Sequence, residues 1–307
     1  MSNLRDWETV ADFIRGTLQR SSESTAKHDF VDVFQRSRAD ILGVVGEVST
    51  PLRVLVVGCG YNYPEVVLWT AAGHEAAGID IRKAFWRCGL SSLVKDLNAD
   101  EHNVMVSIVH ALLERRRYHG YFVNLGAISK MQVDEECQDL INYSGTDLPF
   151  SDNAFDAVCS NAVLEHVADL EGLVGEMHRV TKPSGVNYHL WHNYYSLTGA
   201  HVPNGLVSAN PWGHLLGDSR FERYNRLTGT YLNKKRPEDV LSALSSKFEL
   251  VSFHQVDASH RKKGVDSGFM YEGVELLDPP LERRLSEFPR DLLVTRGFLF
   301  TGRKKLH

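Results

Sequence analysis

Two kinds of apolar pattern alternate along most of the chain. Short apolar runs, such as residues 54–57, have the length and composition of strands buried on both faces of a sheet. Between the runs, apolar residues recur at every third or fourth position, which is the spacing of one helix face. This alternation predicts an α/β fold with a doubly wound, mostly parallel, Rossmann-like sheet of seven strands. The predicted strands are residues 54–57, 75–79, 140–143, a strand ending at residue 161, and residues 186–191, 248–254 and 292–301.

The first fifty residues contain no strand pattern. Apolar stripes over residues 4–20 and 28–48 predict two helices before the first strand. We therefore divide the chain into an N-terminal helical cap, residues 1–48, and a main domain, residues 49–307. Two roles for the cap are open at this point: packing against the edge of the sheet, or forming a lid over a ligand, because helices beside a binding crevice can close over it.

Two long connections interrupt the regular alternation. The predicted second and third strands are about 60 residues apart, far more than a simple crossover needs, which predicts an inserted helical segment over residues 84–137. Residues 192–235 lose their periodicity and accumulate Asn, Gly, His, Tyr and Trp. They follow the carboxyl end of a strand, where open α/β sheets bind ligands, so they are predicted to form the loop region of a binding site.

The first strand runs directly into a glycine turn. Gly58 and Gly60 permit a tight turn against a ligand, and Pro64 suits the first position of the following helix. The second strand ends in Asp80, some twenty residues after the glycines, where a carboxylate can accept hydrogen bonds from two ribose hydroxyls. This order of strand, turn, helix and acidic residue predicts a nucleoside-binding βαβ unit.

Composition narrows the class of partner. The 307 residues carry a net charge of −5 with a pI near 6.3, which argues against nucleic acid as a partner. The chain lacks an apolar run of membrane-spanning length, and its N-terminus is polar, so we expect no membrane association and a cytoplasmic location. The cysteines are too widely separated to predict a zinc cluster or a disulfide framework; they are Cys59, Cys88, Cys137 and Cys159.

Three motifs in order resemble a known family. They are Val54-Leu-Val-Val-Gly-Cys-Gly60 with Asp80, then Asp147-Leu-Pro-Phe-Ser-Asp-Asn-Ala-Phe-Asp156, then Asn161-Ala-Val-Leu-Glu-His-Val167 leading to Arg179-Val-Thr-Lys-Pro-Ser-Gly185. Together they cover roughly residues 50–192 and resemble the class I S-adenosylmethionine-dependent methyltransferases, in particular the broad small-molecule group. The resemblance implies that residues 49–307 form a methyltransferase domain with S-adenosylmethionine as cofactor and S-adenosylhomocysteine as product.

The resemblance also assigns cofactor contacts. The glycine turn is expected to lie against the amino acid part of the cofactor, Asp80 to hold the ribose, and residues 145–148 to border the adenine. The implied cofactor-binding residues are Gly58, Cys59, Gly60, Tyr61, Asp80, Ile81, Gly145, Thr146, Asp147, Leu148 and Asn161. The chain departs from the family pattern in two places, having Asn62 where a third glycine is frequent and Ser144 where an acidic residue is frequent.

Some assignments within these motifs remain open. Asp147 either contacts the adenine or only forms a turn. Glu165 and His166 either anchor the following helix or contact a ligand, and the first alternative is the more common use of such residues.

The chemistry of methyl transfer directs attention to the histidines. The protein has to align the acceptor with the methyl group and exclude water, and a general base helps if the acceptor carries a hydroxyl. His192, directly after the fifth strand, is the first candidate base and His201 the second. Each can instead be a histidine satisfied by backbone or by an aromatic neighbour. We predict no metal site, since the spacings of His189, His192, His201 and His214 match no ligand motif and carboxylates are not interleaved.

The acceptor is expected to be a polar small molecule. Aromatic residues of the irregular region either line its pocket or belong to the core; they are Tyr194, Tyr195, Trp212 and Tyr224. Asn193, Asn204 and Asn210 favour a polar acceptor, although asparagine is also common in loops. The predicted reaction is methyl transfer to an oxygen or nitrogen atom. The alternatives are a nicotinamide-dependent oxidoreductase and a catalytically silent cofactor-binding module. The identity of the acceptor and the oligomeric state are not determined by the sequence.

Overall fold

A computed structural model of the chain describes residues 21–46, 50–60, 62–81, 118, 120–134, 139–142, 146–256 and 273–306. Residues 4–20, predicted as the first N-terminal helix, lie outside this part, as do residues 84–117 of the predicted insertion, Cys88 and Cys137. None of the described helices is long and apolar enough to cross a membrane.

Within the described residues a seven-stranded sheet forms the centre of the fold. Its strands are β1 Arg53–Val57, β2 Glu75–Asp80, β3 Asp139–Asn142, β4 Phe155–Asn161, β5 Thr181–His192, β6 Phe248–Val256 and β7 Gly297–Lys304. The strand order is β3-β2-β1-β4-β5-β7-β6. The pairs from β3 to β5 are parallel, whereas β7 runs antiparallel to both β5 and β6. The predicted α/β fold is confirmed, with a mixed sheet in which β7 is the reversed strand.

Helices cover both faces of the sheet. An N-terminal helix α1 consists of the consecutive segments Ser22–Lys27, His28–Phe34 and Gln35–Val45, of which the second is π-helical. The others are α2 Pro64–Ala71, α3 at residues 120–129, α4 Leu170–Val180, α5 Asn204–Ala209, α6 Ser219–Thr228, α7 Pro237–Lys247, α8 Pro279–Arg284 and α9 Arg290–Val294. Short 3₁₀ turns lie at Leu164–His166 and Val274–Leu276.

Alternate residues of β1 bury into two different core layers. Val54 and Val56 pack in one layer with residues of α1, α2 and α3, whereas Leu55 and Val57 pack in the other with residues of α4 and α7. This two-sided burial explains why β1 is a continuous apolar run. The described part of the predicted cap therefore packs on a face of the sheet: the Phe34 ring meets the Trp69 ring of α2 edge-on at 5.4 Å.

Several predicted boundaries are wrong for local reasons. The helix predicted to follow β4 begins only at Leu170, where the Asp169 side chain caps it by accepting from Gly172 N, and residues 164–166 form a separate 3₁₀ turn. Residues 292–294, predicted as the start of a strand, belong to helix α9, and β7 begins at Gly297. The region predicted as loop at residues 192–235 contains α5 and α6, which are short and bury few residues.

Candidate functional site

The glycine turn lies at the carboxyl end of β1 and is tied to the end of β2. Gly58 and Gly60 have φ of 66° and 74°, which favour glycine. The amide of Cys59 donates to the Ile79 carbonyl at 3.0 Å, and the amide of Gly60 donates to Asp80 Oδ2 at 2.8 Å. These two bonds hold the turn against the acidic end of β2, so the two predicted halves of a nucleoside site are adjacent.

The helix after the turn begins as predicted at Pro64. Asn62 stands where a third glycine is frequent in the family, and its side chain donates to Asp29 Oδ2 of α1 at 3.3 Å. The same oxygen accepts from the Tyr121 hydroxyl of α3 at 2.6 Å. Burial raises the pKa of the Asp29 carboxyl, and the hydrogen bond from Tyr121 partly offsets this. The departure at Asn62 therefore joins the glycine turn to both α1 and α3.

The remaining predicted cofactor residues differ in exposure. The Ile81 side chain is 74% exposed, directly after Asp80, whereas Leu148 and Cys59 are buried in the core layers. Burial also raises the pKa of the Cys59 thiol, which is therefore un-ionised at neutral pH. Thr146 and Asp147 are exposed, and Asn161 ends β4 half-buried. Tyr61, Ser144 and Gly145 lie outside the described residues.

Helix α4 fixes the Asp147-Leu-Pro-Phe150 turn. Arg179 donates from Nη2 to the Leu148 carbonyl at 2.9 Å and from Nη1 to the Phe150 carbonyl at 2.7 Å. Glu176 Oε2 accepts from the Leu148 amide at 2.6 Å and from Arg179 Nη2 at 2.7 Å. The conformation of this turn is thus set by an ion pair that sequence analysis did not assign, although Arg179 lies in the third motif.

On the other side of the glycine turn, three side chains meet at the ends of β4 and β5. The Glu165 carboxylate, from the 3₁₀ turn after β4, has Oε1 3.3 Å from His192 Nδ1 and 3.9 Å from His201 Nε2. The two histidines are 3.2 Å apart between His192 Nδ1 and His201 Nε2. We call these residues the Glu165 cluster. It contains both predicted catalytic histidines, and the carboxylate that we had not expected near them.

Burial and the contacts among the three side chains together set the charges within the Glu165 cluster. Burial raises the pKa of the Glu165 carboxyl, but the hydrogen bond from His192 and the neighbouring imidazoles outweigh it, and the pKa is lowered to about 2. Burial, together with the charge of His192, lowers the pKa of His201 to about 3. At neutral pH the cluster therefore holds an ionised carboxylate beside an un-ionised His201.

Hydrogen bonds to the backbone hold the turn that carries Glu165, and His201 has an unusual backbone conformation. Asn233 donates from Nδ2 to the carbonyls of Leu164 and Val167 at 2.7 and 2.9 Å, and its amide donates to the Glu165 carbonyl at 2.9 Å. His201 has a φ of 55°, a left-handed conformation that costs a non-glycine residue about 1–2 kcal/mol. Strained conformations of this kind often occur at functional sites.

Neither Glu165 nor His166 anchors the following helix. Glu165 faces the two histidines, and His166 Nδ1 lies 2.7 Å from the Tyr231 carbonyl. The more common use that we weighed for these residues is therefore wrong for this chain. They lie directly after β4, at the carboxyl end of the parallel strands, where open α/β sheets commonly bind ligands.

Other residues of the irregular region have structural roles. His189 is buried between Ser160 Oγ at 2.9 Å and Asn187 Oδ1 at 3.3 Å, and burial lowers its pKa to about 3. Trp212 is fully buried and donates to the Leu293 carbonyl, and Asn193 donates to the carbonyls of Leu292 and Thr295.

The contacts of these residues decide two open alternatives. Trp212 belongs to the core and not to an acceptor pocket. Asn193 holds backbone, so it does not support the expectation of a polar acceptor. His214 Nε2 lies 2.8 Å from the Tyr194 carbonyl, and burial lowers its pKa to about 4. Tyr194 remains half-buried, with Lys234 Nζ 5.5 Å from its ring centre.

Comparison with known proteins finds similarity to methyltransferases over part of the chain. Residues 108–188 match the family model described as a methyltransferase domain, a range that includes the second and third motifs. A curated protein of Mycobacterium sp. (strain KMS), named an uncharacterized methyltransferase, is 39% identical over 93 residues, which are 29% of this chain and 33% of that protein. Its counterpart in strain JLS has the same identity and coverage. The chain thus matches about a third of the length of these relatives.

Two similar solved structures are more distant in sequence. A geranyl diphosphate C-methyltransferase from Streptomyces coelicolor is 15% identical with a TM-score of 0.46, covering 94% of this chain and 85% of that one. Phosphoethanolamine N-methyltransferase 2 from Haemonchus contortus is 14% identical with a TM-score of 0.45, covering 92% and 57%. We draw no conclusion about the acceptor from either.

The matched range, residues 108–188, is thus similar to a methyltransferase domain.

Proposed function

We propose that this chain transfers a methyl group from S-adenosylmethionine to an oxygen or nitrogen atom of a small-molecule acceptor. The observation that carries the proposal is the contact between the glycine turn and the turn of the Glu165 cluster. Gly58 packs directly against the Val163 side chain, two residues before Glu165. A cofactor on the glycine turn and an acceptor at the cluster would therefore be neighbours.

The cofactor half of the proposal rests on the end of β2. Asp80 accepts from the Gly60 amide through one oxygen, and a carboxylate has acceptor capacity for several hydrogen bonds, so the same group can also accept from ribose hydroxyls. Exposed Ile81 offers an apolar surface beside it, and exposed Thr146 and Asp147 border the neighbouring strand end. We assign the amino acid part of the cofactor to Gly58 and Gly60.

The reaction at the other half is an in-line displacement. The acceptor atom forms a bond to the methyl carbon with its own electron pair while the carbon–sulfur bond breaks. The electron pair of the broken bond stays on the sulfur and neutralises its positive charge. The acceptor loses its proton, and S-adenosylhomocysteine is the second product. Because no covalent enzyme intermediate is needed, catalysis depends on alignment and on exclusion of water. We assign the acceptor side to His192 and His201 as catalytic residues.

Calorimetry on the full chain with S-adenosylmethionine, S-adenosylhomocysteine and NAD tests the cofactor. We expect both adenosyl compounds to bind and NAD to bind weakly or undetectably. Asp80→Ala should weaken S-adenosylhomocysteine binding at least fivefold, since charged hydrogen bonds contribute about 1.5–3 kcal/mol. The matched control is Glu249→Ala, an exposed acidic residue near the start of β6, at the opposite edge of the sheet.

Each outcome distinguishes between the alternatives. Tight NAD binding without binding of either adenosyl compound would replace the proposal with the oxidoreductase alternative. Cofactor binding without transfer of radiolabelled methyl to any member of a panel of hydroxyl and amine acceptors would favour the silent binding module.

A further inference from the structure

We propose that the Glu165 cluster binds a divalent first-row transition-metal ion, with Zn²⁺ as its representative. The ligand atoms are Glu165 Oε1, His192 Nδ1 and His201 Nε2, which all lie within 4.8 Å of one another. They come from the turn after β4, the end of β5 and the loop before α5, so the sheet brings together residues that are separated in sequence.

The separations between the three atoms match a metal site. With distances of 3.3, 3.2 and 3.9 Å, the point equidistant from the three atoms lies about 2.0 Å from each. Zinc bonds to imidazole nitrogen and carboxylate oxygen are about 2.0–2.2 Å long. An ion would therefore fit on or just above the plane of these atoms with little movement of the side chains.

A second observation concerns the other carboxylate oxygen. Glu165 is only 5% exposed, and its Oε2 atom is buried without a hydrogen-bond partner among the described residues. A buried carboxylate is costly unless its charge is compensated. A bound cation compensates that charge directly.

A hydrogen-bond network alone explains the arrangement less well. A proton on His192 Nδ1 points at both Glu165 Oε1 and His201 Nε2, which compete for it at nearly equal distances of 3.3 and 3.2 Å. Glu165 Oε1 also accepts from the His192 backbone amide at 3.3 Å, so when the Nδ1 proton goes to the carboxylate it is His201 Nε2 that is left facing lone pairs. A cation at the common centre interacts favourably with all three atoms at once, which is the arrangement that a ligand set requires.

The donor set selects the class of metal. Two imidazole nitrogens and one carboxylate oxygen suit Zn²⁺ and its neighbours in the first transition row, whereas Mg²⁺ and Ca²⁺ prefer oxygen ligands. Three protein ligands leave a further coordination position for water or for the acceptor. The role of the metal ion rests on the proposed function. An acceptor hydroxyl bound at the free coordination position would lose its proton to solvent more readily and then attack the methyl carbon.

The test uses the full chain after chelator treatment and dialysis. Co²⁺ alone is titrated by visible absorption, and Zn²⁺ alone by calorimetry and by competition with Co²⁺. We expect one equivalent of metal in the wild type. Glu165→Gln and His201→Gln should each weaken binding at least about 100-fold, a larger effect than loss of a supporting residue outside the ligand set. The matched control is His178→Gln on α4, whose ring lies beside Phe248.

Calorimetry with S-adenosylhomocysteine runs in parallel and separates the two proposals. Intact S-adenosylhomocysteine binding without stoichiometric metal, or with equal metal affinity in the two ligand variants, overturns the metal site and leaves the methyltransferase proposal standing. Stoichiometric metal without binding of the adenosyl compounds does the reverse.

If the variants fail to fold, X-ray absorption of the Zn²⁺-loaded wild type decides. Two imidazole ligands with the remainder oxygen support the site. A spectrum without imidazole, or with sulfur, contradicts it.

Discussion

Gly58 and Val163 are in such close contact that the first of them has to be glycine. A Cβ atom on Gly58 would lie 2.3 Å from Val163 Cγ2 and 3.0 Å from Cγ1, and the φ of Gly58 is +66°. The glycine turn of the proposed cofactor site therefore packs directly on the chain segment that positions Glu165. We therefore expect a substitution at either residue to affect both the proposed cofactor side and the proposed acceptor side of the site.

Gly58→Ala should reduce both stability and cofactor binding. The left-handed φ costs an alanine about 1–2 kcal/mol, and the clash with Val163 adds to this. We expect a lower midpoint in urea unfolding and S-adenosylhomocysteine affinity reduced at least tenfold. The double variant Gly58→Ala with Val163→Ala should recover part of the loss, because it removes the clash and keeps the backbone strain.

The control, Gly175→Ala in α4, has nothing within 4 Å of its Cβ position and should be stabilising. Equal affinity in wild type and Gly58→Ala would contradict the assigned position of the cofactor.

Arg179→Lys should loosen the Asp147-Leu-Pro-Phe150 turn although the charge is kept. A lysine cannot donate simultaneously to the carbonyls of Leu148 and Phe150 and to Glu176, as the guanidinium does. We expect a loss of about 1–3 kcal/mol in the free energy of unfolding, measured by urea titration. Lys182→Ala is the control, since it breaks a more exposed ion pair with Asp156 and should cost about 0.2–1 kcal/mol. A loss no larger than that of the control would show that the turn holds its shape without Arg179.

Glu65→Gln should remove a pH dependence of stability. Burial raises the pKa of the Glu65 carboxyl from 4.5 to about 7, with a smaller contribution from the Asp29 charge, while the hydrogen bond from Ser37 opposes the shift. The folded state therefore holds the proton more tightly than the unfolded state, and stability falls as pH rises from about 4.5 to about 7 and stays low above it. The variant should be more stable than the wild type at pH 8 and should lose this advantage near pH 5.

Glu176→Gln should show the opposite trend in the same unfolding experiment. The hydrogen bond from Arg179 lowers the pKa of the Glu176 carboxyl, so its contribution is present above its ordinary pKa and is lost as pH falls. The stability difference from wild type should therefore be largest at neutral pH and shrink in acid. For the first of these two variants, the contradicting result would be parallel profiles of stability against pH for Glu65→Gln and the wild type. It would argue that Glu65 is ionised in the folded protein.

Asn233→Ala should destabilise the turn that carries Glu165 without touching the cofactor half. It removes two hydrogen bonds to the carbonyls of Leu164 and Val167, at 2.7 and 2.9 Å. We expect a loss of about 1–3 kcal/mol in unfolding free energy, with S-adenosylhomocysteine affinity changed less than twofold. Asn204→Ala, at the exposed first position of α5, should stay within about 0.5 kcal/mol of wild type. A large loss of cofactor affinity would mean that Asn233 supports both halves.

The sheet could be predicted from sequence because its strands are locally encoded. A strand buried on both faces, such as Val54 to Val57, has to be apolar throughout, and the glycine turn and Pro64 mark where it gives way to α2. Helices α5 and α6 escaped prediction because they are short and each buries only one side chain, Val207 in α5 and Phe221 in α6. The last strand starts later than the predicted range of residues 292–301. Leu293 and Val294, which we had counted as strand, are buried in a separate apolar cluster beneath the loops.

What the sequence by itself determined was the strand, glycine turn and helix around Gly58 and Gly60, with Asp80 at the end of the next strand, because these parts follow one another along the chain. Only the tertiary structure decided that Glu165 meets His192 and His201. That meeting depends on the parallel register of β4 and β5, in which Asn161 lies opposite Leu190, and on the left-handed backbone of His201. Register and loop closure are properties of packed strands, and a local pattern of residues does not encode them.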